Sequence, residues 1–561
     1  MEVTRRDLLA LLGVAAGAGL TPRQVAAAAT APERLVEFPA LGNVTLLHVT
    51  DTHATLRPVL CREPDTAPGV GAERGKPPFL SGSDFIRAYG ISPGSVEAYA
   101  YTFLDFPALA ARYGRMGGYA HLATLVKRIR SERAGRTLLL DGGDTLLGSA
   151  TALWSRGEDM VRVSNQLGVE VFTPHWEFVH GIERVKELFG DRESKGLFAG
   201  DFIAHNVAEA GWGDRVFHPF TVRDVGGARV GIIGQAFPYT PVSHPRRFVP
   251  DLTFGIKEDG VQALVRELRD DRKVDLVVLL SHNGIAVDLK LAGRVQGLDV
   301  ILGGHTHDAL PQPIMVGKTI VVNSGSHGKF LSRLDLDVQR GRIADYRYRL
   351  LPVLSQALPE DPEMATLIRE IRGPHEARLS EKLAVSDSLL YRRGTFNGPF
   401  DELILDALLR HADAQVAFSP GFRWGITILP GQEITLDDVY AHTALTYPNV
   451  WVRELTGSEI HHVMEDVADN LFHSDSYYRQ GGDMVRLGGL TYAIAPGKPM
   501  GQRITDIRFA GGALELSRRY KATGWAALGE AAGPPAWDVV ARHLRSVKRV
   551  RIDARTRVRV I

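Results

Sequence analysis

Leu47-His48-Val49-Thr50-Asp51-Thr52-His53 is an apolar run that stops abruptly at Asp51-x-His53. Four further clusters of oxygen and nitrogen donors follow, each at the end of an apolar run. They are Asp141-Gly142-Gly143-Asp144, Pro174-His175-Trp176-Glu177, Ser281-His282-Asn283 and Gly303-Gly304-His305-Thr306-His307. One such cluster is an accident of composition. Five in order, at successive strand-to-loop junctions, describe one site assembled at the carboxyl ends of several strands, where open α/β sheets bind ligands.

Working outward, short continuous apolar runs predict strands at 44–49, 137–140, 169–172, 197–199, 230–233, 276–280, 300–302 and 319–322. Runs of this kind suit strands buried on both faces, as in α/β layers. Helical patterns lie between several of them, as at 119–133 and 261–270. Residues 57–112 break the alternation; they are rich in Pro and Gly, lack clear periodicity and adjoin Asp51-x-His53. A long irregular insertion beside a site is expected to form a wall or lid.

At 561 residues the chain exceeds one ordinary core, so at least two domains are expected. A first domain is placed at 40–351, a linker with a helix over 364–372 at 352–380, and a second domain at 381–561. The second mixes helices (400–411, 457–471) with Gly/Pro-rich turns (419–425, 480–489).

Asp51, His53, Asp144, His175, His282, His305 and His307 offer oxygen and imidazole nitrogen without sulfur. That donor set suits Mn, Fe, Zn or Co rather than Ca or an iron–sulfur cluster. Seven groups are too many for one first-row ion and right for two with open positions. A carboxylate such as Asp144 can bridge two ions about 4 Å apart, each drawing charge from a shared water. In Asp51-x-His53 and His305-x-His307, residues i and i+2 would share one face of an extended strand, and glycines 142, 143, 303 and 304 would keep bulk away from the ions.

Charge excludes other classes. Lys+Arg is 66 against Asp+Glu 65, so no basic field draws in nucleic acid or anionic lipid. The basic tail 542–559 ends in a Val-Arg-Val alternation that reads as a two-faced strand with solvated arginines. The single cysteine, Cys61, permits no internal disulfide and no thiolate-rich metal site; with no His or Asp motif beside it, it reads as an ordinary loop thiol. Residues 1–31 carry Arg5-Arg6, a short apolar centre and a small-residue end. These are the parts of an export signal of the twin-arginine type, giving a periplasmic enzyme. No stretch is long and apolar enough to span a bilayer.

The order Asp-x-His, Gly-Gly-Asp, Pro-His-Trp-Glu, Ser-His and Gly-His-x-His resembles the calcineurin-like metallophosphoesterases. The two-part layout resembles their 5′-nucleotidase branch, from about residue 40 to the end. Within that branch, Pro174-His175-Trp176-Glu177-Phe178, Arg62-Glu63-Pro64 and Gly117-Gly118-Tyr119-Ala120-His121-Leu122 resemble the SoxB family of thiosulfohydrolases. Phosphoesterases of the superfamily carry Asn-His where this chain has His175-Trp176. His175 can still bind metal, whereas the Trp176 indole does not titrate in a range useful for acid catalysis.

The resemblance implies an α/β fold, a four-layer αββα sandwich followed by an α+β 5′-nucleotidase-like domain. It implies two manganese ions, a dimetal-activated hydroxide as nucleophile, and a sulfur adduct on a cysteine of the SoxYZ carrier as substrate, cleaved to sulfate. Asp51, Asp144, His175 and Trp176 would form the catalytic centre. Arg423, in Ser419-Pro420-Gly421-Phe422-Arg423, falls where nucleotidases bind phosphate and would grip the sulfonate; Arg486 and Asn206 are further substrate-binding candidates. The enzyme is expected to be a monomer without stable membrane association. The alternatives are a periplasmic 5′-nucleotidase or phosphodiesterase, and a scaffold that keeps its metals for folding.

Overall fold

The computed structural model describes residues 36–67, 69–552 and 557–561; the signal expected at 1–31 lies outside them. Two six-stranded sheets face each other. The first runs Arg342–Pro352, Phe330–Gln339, Val44–Val49, Thr137–Asp141, Val171–Phe172, Asp201–Phe202. The second runs Ile314–Val316, Thr319–Asn323, Val300–Gly303, Leu276–Ser281, Ala228–Gln235, Phe220–Val225. The strands from Val44–Val49 to Asp201–Phe202 are parallel, as are the four from Ala228–Gln235 to Thr319–Asn323. Antiparallel strands close both edges of the second sheet and one edge of the first.

The pleat sends alternate residues into different layers. Leu138, Leu140, Val278, Leu280 and Leu302 fill the space between the sheets. Leu139 with Leu47 and Val49 packs outward under the helices Tyr119–Glu132, Glu158–Leu167 and Ile182–Phe189. Val277, Leu279 and Ile301 pack under Glu258–Asp270 and Ile285–Ala292 on the other side. The first domain is thus an αββα sandwich, and its two-sided burial explains why the strands read as unbroken apolar runs. Each such side chain contributes roughly 1.5–3 kcal/mol by leaving water.

The predicted strand at 197–199 is absent. Leu197 is exposed and Phe198 alone turns into the core, so pairing starts at Asp201–Phe202. The 57–112 insertion is irregular up to residue 81, as expected, but not beyond it. It forms the helices Gly82–Ala88, Val96–Tyr101 and Phe106–Tyr113, each too short to show a period. Their aromatics Tyr99, Tyr101 and Phe106 build a core with Phe330 and Leu350.

The helix Pro362–Arg372, capped by the Asp361 side chain, drives Met364, Ala365 and Ile368 into the core beneath Tyr119–Glu132. It is therefore fastened to the sandwich. Beyond it, the second domain combines one three-stranded and two four-stranded sheets with the helices Pro399–Ala412, Leu436–Thr443, Gly457–Phe472 and Ala536–Val547. Leu147, Ala150, Trp176 and Val179 of the sandwich share a core with Leu403, Trp424 and Tyr447 of this domain. The interface is therefore packed right up to the site. Among the described residues no helix is long and apolar enough to cross a membrane.

Candidate metal centre

All seven predicted ligands converge, and they form two groups that share one carboxylate. Asp144, His175, His282 and His305 make one; Asp51, His53, Asp144 and His307 make the other. Asp144 Oδ1 lies 3.0 Å from His175 Nδ1, and Oδ2 lies 3.1 Å from His282 Nε2. Asp51 Oδ1 lies 3.2 Å from His307 Nε2.

The backbone that presents these groups is not extended. The strands end at Val49 and Gly303, and Asp51, His53, Asp144, His305 and His307 all have positive φ, 52°, 47°, 60°, 72° and 59°. The expected i, i+2 strand geometry is replaced by left-handed turns, so His305 and His307 serve different groups. A left-handed non-glycine residue costs roughly 1–2 kcal/mol, and strain of this kind collects at functional sites. It is held by a lattice of backbone bonds. Asp51 N–H donates to Gly143 O at 2.8 Å, His53 N–H to Asp144 O at 2.9 Å and His327 N–H to Asp51 O at 2.8 Å. Two glycines are required by close approach. A Cβ at Gly304 would fall 2.4 Å from Thr50 Oγ1, and one at Gly143 would fall 2.4 Å from Thr173 O.

The donor chemistry fits two divalent cations. His282 Nδ1 donates to Gly142 O and His305 Nε2 to Gln480 O, which fixes both tautomers. Their other ring nitrogens, His282 Nε2 and His305 Nδ1, are buried without a hydrogen-bond partner, as is His175 Nε2. Each such orphan costs about 1–3 kcal/mol if nothing binds it.

Electrostatics agree. Burial pushes Asp51 up to about 8 and pulls His53 and His175 down to about 4. Burial also disfavours charge on His282, but the Asp144 and Asp51 carboxylates outweigh it and lift that imidazole to about 10. Burial would raise Asp144; His175 and His282 together hold it well below the usual carboxylate range. Buried carboxylates and imidazoles so poised are compensated by cations, whose charge dominates the local balance.

Comparison with known proteins places this geometry. The 5′-nucleotidase C-terminal domain family matches residues 384–533. The trifunctional nucleotide phosphoesterase YfkN of Bacillus subtilis is 26% identical over 322 residues, 55% of this chain and 21% of that protein, so the chain spans about a fifth of that relative. A 5′-nucleotidase precursor from Thermus thermophilus superposes with a TM-score of 0.71 at 23% identity, covering 92% of this chain and 99% of that one; it shares the fold. The sulfate thiohydrolase SoxB of Thermus thermophilus superposes with a TM-score of 0.90 at 39% identity, covering 94% of this chain and 98% of that one. The chain belongs to the SoxB family.

Within the SoxB frame the cleft is aromatic. Trp176, Phe237, Phe422 and Trp424 line it together with His53, Asp144, His175, His305 and His307. Trp176 N–H donates to Asp144 Oδ1 at 2.9 Å, so the residue that replaces the superfamily's His is tied by its backbone to the shared carboxylate. Phe237 packs 4.2 Å from the rings of both His175 and His305.

Arg423 lines the cleft, with its guanidinium already donating to His305 O at 2.8 Å and Gly482 O at 2.7 Å. It therefore braces the ligand loop besides facing the cleft. Arg486 is not brought to the cleft; it is fully buried and bonded to Asp401, Asp483 and Thr395 O. Asn206 is not brought there either. Its amide ties two distant segments together, donating to Ala236 O and Gly255 O and accepting from Ala236 N–H.

Several residues around the centre escaped the sequence. His327, in Ser324-Gly-Ser-His-Gly328, follows the Thr319–Asn323 strand just as the other clusters follow theirs, a signal that was available. Its ring stands 5.5 Å from that of His53, and its Nδ1 stands 3.8 Å from Cys61 Sγ. Cys61 does lie in a loop, but buried there beside a histidine, and burial pushes its thiol up.

Glu177 emerges as the brace of the ligand backbone. Its carboxylate accepts from Thr145 N at 2.8 Å and His175 N at 2.7 Å, holding the two loops that carry Asp144 and His175. Glu177→Gln turns one acceptor into a donor facing an N–H. It is expected to weaken metal affinity about 10–100-fold with the fold intact; metal titration of the apo-protein at wild-type affinity would refute this.

Proposed function

We propose that this chain is a thiosulfohydrolase that releases sulfate from a thiosulfonate carried on a cysteine of a SoxYZ-type carrier protein, with manganese as its metal and the periplasm as its location. The observation that carries the reading is Trp176 in the cleft of a chain similar to SoxB over 94% of its length. In the reaction, water adds to the sulfonate sulfur and the bond from that sulfur to the sulfane sulfur breaks. Sulfate and two protons leave, and the electron pair stays on the carrier as a persulfide anion. Two bound cations supply Lewis acidity and acidify water toward neutral pH.

The chain's own residues set the rest. Glu177 and Arg423 fix the loops of Asp144, His175 and His305. Trp176 and Phe237 keep bulk water from the reacting sulfur. A persulfide is a good leaving group and needs little proton donation, so an indole is tolerated where phosphate ester hydrolysis calls for an acid. Phe422 and Trp424 stack on each other with centroids 4.1 Å apart and planes 19° from parallel. A nucleobase between them would need about 7 Å, two van der Waals layers, which disfavours the 5′-nucleotidase or phosphodiesterase reading.

The test runs a thiosulfonate-bearing carrier and AMP in parallel with mature, manganese-loaded enzyme. Sulfate without phosphate is expected, and phosphate without sulfate would return the chain to the nucleotidases. Trp176→His is expected to slow sulfate release about tenfold or more by opening the cleft to water. Unchanged sulfate release would overturn the role given to the indole.

A further inference from the structure

The metal centre borders two cavities. The front cleft, about 220 Å³, is lined by ligands of both groups. On the far side of His53 and Trp424, which line both, lies a second cavity of about 580 Å³. Its wall carries Arg57, Arg115 and Arg372 against Asp437 and Asp438. Arg372 pairs with Asp437 at 2.6 Å and Arg57 with Glu376 at 2.8 Å, so the wall is mixed in charge, with Arg115 its exposed cation. Between the cavities stands Trp424, 2% exposed, whose Nε1–H has no hydrogen-bond partner. Buried indole N–H groups ordinarily have one, so this donor is set to meet an acceptor that passes or binds there.

The chemistry of a tethered substrate gives the second cavity a purpose. The reacting sulfonate is the terminal group of the carrier arm, so sulfate forms at the inner end of whatever fills the front cleft. The persulfide product stays on the arm. A small dianion made ahead of a plug leaves only after the plug withdraws, or through another opening.

We propose that the rear cavity is the outlet for the small anionic product, so that sulfate departs past Trp424 and Arg115 while the arm still occupies the front cleft. This deepens the thiosulfohydrolase reading and rests on it. The Trp424 indole donates to the dianion in transit, and the exposed Arg115 guanidinium meets it at the far wall.

The test narrows the outlet away from the metals, with Ala441→Trp and, separately, Ser355→Trp, both on the rear wall. Sulfate release in the first turnover should stay within about twofold of wild type while steady-state turnover on the carrier falls about fivefold or more, because exit becomes limiting. A short detached thiosulfonate peptide, which can vacate the front, should be slowed far less. Unchanged carrier turnover, or equal slowing of both substrates, would overturn the outlet. In the wild-type enzyme, added sulfate should inhibit non-competitively against carrier, since both can be bound at once; competitive inhibition would overturn the proposal without any variant. Absence of first-turnover sulfate in the wild type would instead sink the thiosulfohydrolase reading.

Discussion

Asp144→Ala is expected to lower sulfate release by at least about 10³-fold and to leave less than one metal ion per chain, because cation stabilisation of the transition state is worth several kcal/mol and each 1.4 kcal/mol is tenfold in rate. Asp144 is the one residue in both ligand groups. Its two oxygens face different imidazoles, and its Oδ1 also accepts from Trp176 N–H. Truncation therefore strips a ligand from each ion at once, whereas loss of His53 or His305 strips one group only. The imidazoles left behind keep their buried, unpartnered nitrogens, so the local fold should loosen as well. Metal analysis and a chelation–reconstitution series check the prediction. Wild-type protein should lose activity with its metals and regain it on reloading, while Asp144→Ala should regain nothing. A variant that keeps two ions per chain and a tenth of the activity would show that Asp144 does not join the groups.

The fold and the convergence of the seven candidate ligands were legible for the same reason: two-sided burial leaves unbroken apolar runs, and each run stops where donors appear. What the sequence misjudged was conformation and context. Asp51-x-His53 looked like the tip of a strand, yet both residues sit in left-handed turns, because the loops zip to one another through Asp51 N–Gly143 O and His53 N–Asp144 O. No periodicity records a contact across 92 residues. Arg486 was a further substrate-binding candidate because a planar guanidinium fork suits an anion; only the tertiary structure shows it paired with Asp401, 85 residues away. The short helices of the 57–112 insertion were hidden because each holds fewer than three turns. His327 could have been found, since it ends its strand run as the others do.

Asp401→Asn should destabilise the second domain by about 3–5 kcal/mol, the cost of breaking a buried ion pair from one side. Asp401, Arg392 and Arg486 are all fully buried. Arg392 Nε donates to Oδ1 at 3.0 Å and Arg486 Nε to Oδ2 at 3.1 Å, so one carboxylate answers two guanidiniums. An amide of the same shape presents one oxygen and one NH2, leaving a guanidinium facing a donor in a place with no water to relieve it. The same arginines reach the cleft loops. Arg392 Nη2 holds Pro420 O at 3.0 Å, and Arg486 Nη2 holds Asp483 Oδ2 at 2.9 Å. The loss should therefore also slacken the walls that carry Phe422 and Arg423. The metal ligands all belong to the sandwich, so metal content of the folded protein should not change. Arg486→Ala separates the two roles that residue has been given. A substrate grip would raise KM and spare stability, whereas the keystone role lowers the denaturation midpoint of the second domain. Urea denaturation of both variants beside wild type decides it, and an Asp401→Asn protein within about 1 kcal/mol of wild type would mean that the buried arginines are satisfied by their carbonyl partners alone.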